Sequence, residues 1–228
     1  MKQDIKVSAF LANLPLFKEI DPEEIDRLAQ GTRVMHLSRG DTLFHKGDPA
    51  EGFYLLVYGQ VKLAFTSPQG ADKVVEIVGP GMSFGEAVMF LEKPNVVYAQ
   101  ALADSMLLYI QRAVVFEEIE RNPKFARKML GGLARRLHGL VSDVEAYSLR
   151  SGAQRVIGYL LRDDELGQTG VRGASVTLPT NKGVIASRLN LTPQHFSRIL
   201  HELTELGLIR VEGRTVHIPD VDKLRAYE

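Results

Sequence analysis

The stretch LTPQHFSRILHEL at residues 191–203 carries side chains suited to reading nucleic acid. The flat guanidinium of Arg198 can pair with O6 and N7 of guanine together, Gln194 can pair twice with adenine, and Ser197 can meet several bases. These residues and His195 sit at the start of a helix whose first turn is well specified. Thr192 is a good N-cap, and Pro193 costs nothing at the first helical position, where an N–H would lack a partner. Phe196, Ile199, Leu200 and Leu203 fall on one face at helical spacing, while Gln194, Ser197, Arg198 and His201 fall on another. One face packs and the other is offered. Phosphate contacts would come from Lys182, Thr180, Arg214 and the helix N-termini. From 180 to 214 there are five basic residues against three acidic ones, a thin positive footprint.

Such a helix needs a frame to hold it against a groove. Before it, TNKGVIASRLN predicts a shorter helix capped by Thr180, followed by a tight turn near Asn190-Leu191. Two short helices around a tight turn form the helix-turn-helix arrangement. After it, LIRVEGRTVHI reads as two β runs around Glu212-Gly213-Arg214, a hairpin that makes the unit a winged helix. Upstream, AQRVIGYLLRDDEL has helical spacing, GQTGVRGAS reads as a glycine-rich loop, and VTLP as a short strand.

The chain also has a segment fit to pair two copies of that unit. Leu130, Leu133, Leu137, Leu140, Val144 and Tyr147 are spaced 3, 4, 3, 4, 3 on a helix expected from about Pro123 to Leu149. Such a heptad seam suits a second helix. Two readings stand: self-association through Leu130, Leu133, Leu137, Leu140 and Val144, or one long helix packed on its own domain. Gly131 and Gly132 each weaken the helix by about 1 kcal/mol against Ala, so packing must hold it there.

The N-terminal half has a different texture. Behind a short helix at Asp21 to Gln30, glycines at 40, 47, 52, 59, 70, 79, 81 and 85 separate short β runs such as FYLLVYG, QVKLAF and KVVEIV. That pattern predicts a compact antiparallel roll. FGEAVMFLEKPNVVYAQAL places a short helix, Glu86 to Phe90, within it. The helix start beside Gly85 could hold an anion, and Glu86 could accept hydroxyl donors. No Arg or Lys lies near in sequence; Asn95, Val96 and Val97 follow. The competing reading has Glu86 capping its own helix and Val96 and Val97 in the core. A ligand entering here would meet an apolar pocket lined by Gly85, Glu86, Asn95, Val96 and Val97.

Other chemistries lack their parts. With no cysteine in 228 residues, disulfides, thiolate metal sites, cysteine-ligated iron–sulfur clusters and Cys nucleophiles are excluded. The six histidines, His36, His45, His138, His195, His201 and His217, show no HExxH and no paired ligand spacing, so no metal site is expected. No GxSxG and no phosphate-binding glycine loop occurs, and no enzyme is expected. Charge balances at 28 basic against 28 acidic residues, so a basic surface must be local. Asn13, Pro15 and Lys18 interrupt the apolar N-terminal segment, so no signal peptide or membrane span is expected, and the cytoplasm is the default compartment.

The order of parts, glycine-rich roll, long helix, winged helix, resembles the Crp/Fnr family of transcription regulators over nearly the whole chain. The resemblance is carried by GDTLFHKGDPAEGFYLLVYGQVKL at 40–63, FGEA at 84–87 and LTPQHFSRILHELTELGLI at 191–209. It implies an α+β fold: an antiparallel, jelly-roll, cyclic-nucleotide-binding-like effector domain at 1–121, a dimerisation helix at 122–149 and a winged helix-turn-helix at 150–228. It implies double-stranded DNA, a second copy of the chain, a small effector and RNA polymerase as partners, with Gln194, Ser197 and Arg198 as base readers. Ser197-Arg198 matches the Fnr-like pattern and a TTGAT-type half-site, whereas Gln194 stands where Glu is usual.

Cyclic-AMP-binding members carry Arg-Ser where this chain has Asn95-Val96, which argues against cyclic AMP; the missing cysteines argue against an iron–sulfur cluster. MFLEKPNVVYAQA and FSRILHEL are similar to the DNR-type regulators, which respond to nitric oxide through haem, so the resemblance admits haem as cofactor without naming its ligands. The alternative reading is a small-molecule-binding module whose winged domain docks a protein rather than DNA.

Overall fold

The computed structural model describes residues 7–12, 21–68, 70, 72–161 and 172–227, in two compact units, Met1–Gly139 and Leu140–Glu228. Residues 167–171 of the expected glycine-rich loop lie outside the described residues.

The first unit contains α1 (Val7–Ala12), α2 (Pro22–Gln30), β1 (Thr32–Leu37), β2 (Thr42–Phe44), β3 (Gly52–Tyr58), β4 (Val61–Thr66), β5 (Asp72–Val78), β6 (Ser83–Phe84), α3 (Glu86–Phe90), β7 (Tyr98–Ala101), β8 (Ser105–Gln111), α4 (Arg112–Arg121) and the start of α5 (Pro123–Leu149). The strands form two antiparallel four-stranded sheets, ordered β1-β8-β3-β6 and β2-β7-β4-β5. This is the expected roll.

Alternation along β3 divides its side chains between two cores. Phe53 and Leu55 join Leu11, Ile25, Leu28, Met89, Val115, Phe125 and Met129 beneath the helices. Leu56 packs between the sheets with Phe44, Val61, Leu63, Phe84 and Leu107, and Tyr54 stacks on Phe84 at 5.3 Å between ring centroids. Phe125 and Met129 show that α5 begins by packing on its own roll, as one of the two readings held.

The second unit follows with the end of α5, α6 (Gly152–Leu160), β9 (Arg172–Thr177), α7 (Lys182–Arg188), α8 (Pro193–Glu205), β10 (Arg210–Glu212), β11 (Thr215–Asp220) and α9 (Val221–Arg225). The hairpin forms as expected, with Glu212 opposite Thr215 and Gly213 at φ 60° in the two-residue loop. Two local expectations need correcting. The strand placed at VTLP begins earlier, at Arg172, because β11 extends to Asp220, which lies opposite Arg172. The cap of α7 is Asn181, whose side-chain oxygen accepts from the Val184 N–H at 3.0 Å, and not Thr180.

Candidate nucleic-acid interface and effector pocket

α8 is an amphipathic helix with its start fixed. Thr192 Oγ1 accepts from the His195 N–H at 3.2 Å, and Pro193 follows in the first turn. Phe196, Ile199, Leu200 and Leu203 are buried, whereas Gln194, Ser197, Arg198 and His201 are exposed. The tight turn before it is made by Asn190 at φ 57°, a conformation asparagine tolerates better than most residues. His195 is half-buried, its ring so close to Gly152 that a Cβ there would meet it at 3.2 Å. It lies at the edge of the offered face.

The surrounding cations divide differently from the sequence count. Lys182 is exposed at the start of α7. Arg214 is exposed on the wing, its Nε donating to the Leu178 carbonyl at 3.1 Å. Thr180 is buried one residue ahead of the cap, so its hydroxyl is not offered to a phosphate, contrary to expectation. Arg188 was counted with the surface cations but pairs internally with Asp143 at 2.5 Å, and Arg210 pairs with Glu212. The candidate interface therefore rests on Gln194, Ser197, Arg198, Lys182 and Arg214, with His195 at its edge.

In the first unit, Gly85 adopts φ 94° at the N-cap of α3, a left-handed conformation that glycine takes without strain. Glu86 is buried, and it does not stand alone. Arg136, fifty residues on in α5, donates through Nη1 to the Ser83 carbonyl at 2.8 Å and to Glu86 Oε2 at 3.4 Å, and through Nη2 to Glu76. Burial pushes the Glu86 carboxyl upward, against the pull of the Ser83 hydroxyl and the Arg136 guanidinium. The expectation of an apolar pocket is thus overturned: two acids and an arginine meet there.

Asn95 belongs to another structure. Its Nδ2 and its N–H both donate to the Asp48 carbonyl, at 3.2 and 2.9 Å, and its carbonyl accepts from the Gly47 N–H at 2.7 Å. It pins the turn after β2 instead of lining a ligand site. Val96 is 54% exposed and not in the core, while Val97 packs against the inter-sheet core.

Along α5, Leu130, Leu137 and Val144 are each 64% exposed, Leu140 is exposed as well, and Leu133 is half-buried. Tyr147, the expected last seam position, turns inward instead and bonds Arg188. Val141, which the heptad reading passed over, is exposed beside the seam. Among the described residues no group of three or more His, Asp or Glu is placed to hold a metal, and no helix is long and apolar enough to cross a membrane.

A two-sheet roll with a buried acid at a helix start, a long helix with an exposed leucine row and a winged helix-turn-helix together define a sensor joined to a DNA reader. Comparison with known proteins agrees. The cyclic nucleotide-binding domain model matches residues 34–122, and the Crp-like helix-turn-helix domain model matches residues 154–227. The crystal structure of DNR from Pseudomonas aeruginosa is 31% identical, with all of both chains covered and a TM-score of 0.52. The cyclic AMP receptor protein of Thermus thermophilus is 29% identical over 90% of this chain and 92% of that one. The CRP-like cAMP-activated global transcriptional regulator of Mycobacterium tuberculosis is 26% identical over 94% of this chain and 96% of that one. The chain belongs to the Crp/Fnr family. It is an effector-responsive DNA-binding transcription regulator of that type, in a non-enzymatic family whose members act as dimers and typically contact RNA polymerase.

Proposed function

We propose that two copies of the chain, paired through Leu130, Leu133, Leu137, Leu140 and Val144, read a palindromic, Fnr-like site of the TTGAT kind. Gln194, Ser197 and Arg198 meet base edges, His195 flanks them, and Lys182 and Arg214 hold phosphates. The observation that carries this reading is the division of α8, whose apolar residues are all buried while Gln194, Ser197 and Arg198 are all exposed. In domain terms, residues 1–121 sense, 122–149 pair and 150–228 read. Gln194 brings an amide where Fnr-like members carry Glu, so the site is expected to depart from TTGAT at the base that residue meets.

Control enters at Glu86. An effector that takes this carboxylate competes with Arg136, and Arg136 belongs to the helix that carries the leucine seam, so recognition and helix position share one contact. An effector shifts the protein only by its differential affinity for the two arrangements. Asn95 is engaged with Asp48, which leaves no cation at the place where cyclic-AMP-binding members keep theirs; the effector is therefore a different polar molecule. The full-length likeness to DNR is the argument for haem. Haem fits poorly: none of the six histidines is buried, and Glu76, Ser83 and Arg136 are what surround Glu86.

The test is equilibrium binding of full-length protein to a palindromic duplex and to a scrambled one at several salt concentrations. Arg198→Ala is expected to cost about 1–3 kcal/mol on the palindrome and to relax preference at one base pair, while Lys182→Ala weakens both duplexes alike and flattens the salt slope. Equal losses on both duplexes for Arg198→Ala would refute its role as a reader. A duplex that never binds at low salt would favour a protein-docking winged unit.

A further inference from the structure

Between Leu140 and Leu149, α5 keeps its large aliphatic residues Leu140, Val141, Val144 and Leu149 exposed, and the residue it buries is an acid, Asp143. The partner of that acid comes from the helix-turn-helix. Arg188 Nη2 donates to Asp143 Oδ2 at 2.5 Å, with both side chains nearly enclosed, at 12% and 10% exposure. Arg188 Nη1 donates to the Tyr147 hydroxyl at 2.5 Å, and that hydroxyl donates to the backbone carbonyl of Arg188 at 2.5 Å. From α6, Arg155 Nη1 donates to the carbonyls of Leu189 and Asn190 at 2.9 and 3.3 Å.

The carbonyls of 188 and 189 end α7 and its C-cap, of the kind a helix leaves without internal partners, and that of Asn190 follows in the left-handed turn. They form the turn of the helix-turn-helix, and α8 starts from its cap at Thr192, two residues later. The turn is thus held by side chains of α5 and of α6. A hydrophobic contact lets helices slide; a planar guanidinium pinned at two nitrogens does not. A buried ion pair adds little net stability but is directional.

We propose that Asp143, Tyr147 and Arg188 are positioning residues that fix the angle at which the reading helix leaves the end of the dimer helix, and through it the half-site spacing the dimer accepts. This rests on the reading of a two-half-site palindrome given above. The latch touches no DNA. Its loss therefore alters where the two reading helices stand relative to each other without altering what each one reads.

The experiment measures binding of the full-length homodimer, by fluorescence anisotropy, to duplexes with identical half-sites separated by the native spacer or by one or two base pairs more or fewer. Each added pair carries the second half-site about 3.4 Å along the axis and about 35° around it, so wild type is expected to lose roughly tenfold or more off the native spacing. Tyr147→Phe, Asp143→Asn and Arg188→Gln are expected to weaken binding at native spacing and to bring the off-spacing duplexes nearer to it. The charge-conserving Arg188→Lys should fall between them and wild type. Binding to a duplex with a single half-site should be unchanged, a readout that general destabilisation would move.

Tyr147→Phe removes a single hydroxyl and keeps the proposal testable where a charge variant fails to fold. Folded variants with the wild-type spacing profile overturn the latch while leaving the palindrome reading intact. A wild type indifferent to spacing overturns the palindrome reading and the latch with it.

Discussion

Replacing Arg136 by alanine tests the charge cluster under the roll, because it removes a cation that Glu76 and Glu86 share. Arg136 is 26% exposed at its side chain, Glu76 22% and Glu86 8%, so the orphaned charge that matters most is Glu86. Removing one partner of a buried pair typically costs about 3–5 kcal/mol; a guanidinium one quarter exposed places the expected loss at about 3 kcal/mol at pH 8. That cost should depend on pH in a definite direction. The Glu86 carboxyl already lies above its ordinary value of 4.5 because it is buried, and the guanidinium holds it down. Without Arg136 it rises further, so the folded variant binds a proton that the unfolded chain has released.

Stability of Arg136→Ala must therefore fall as pH rises above the ordinary glutamate range, and the gap to wild type must narrow as pH falls and Glu86 protonates. Urea unfolding at fixed protein concentration, repeated between pH 5 and pH 8, gives the gap directly. Glu86→Gln in the same background removes the stranded charge and should recover part of the loss at pH 8. A loss that is the same at every pH, or that Glu86→Gln fails to reduce, would show that the arginine acts by packing alone and would refute the argument.

Two further outcomes are expected. Val144→Asp places a charge on a residue of the proposed seam that is 64% exposed, so sedimentation should show monomer while the thermal transition of each unit stays near wild type; a persistent dimer would move the interface elsewhere. Hemin titrated into purified protein should give no saturable one-to-one complex, since no described histidine is buried; a stoichiometric complex with a shifted spectrum on adding nitric oxide would reverse the effector reading.

Periodic features were legible in the sequence. The buried and offered faces of α8 repeat at helical spacing, and the seam of α5 repeats by heptads, so each could be traced from residue types alone. The roll was visible because glycines mark its turns. Contacts between distant residues were not visible. Arg136 meets Glu86 across 50 positions and Arg188 meets Asp143 across 45, and nothing in local pattern distinguishes such an arginine from one bound for a phosphate. Thr180 and Asn181 are both good caps, so the choice between them lay with the burial of Thr180. Tyr147 satisfied the heptad, and its hydroxyl also bonds Arg188 across 41 positions, a contact that heptad spacing does not show.

The first half of α5 is loaded on two sides. Phe125 and Met129 sit in the roll core and Arg136 reaches its acids, while Leu130, Leu133 and Leu137 lie along the other edge. Each residue of an α-helix advances the next by 100°. One residue inserted between Met129 and Arg136 would turn the arginine away from Glu86 while Met129 stayed in place, and it would split the leucine row in the same stroke. Point substitutions can drift on this helix; changes of length between Met129 and Arg136 cannot, because even seven residues, which restore the rotation, carry the arginine about 10 Å along the axis from Glu86. Its residue count is thus a constraint on how descendants of this gene can vary, separate from the identity of any side chain it carries.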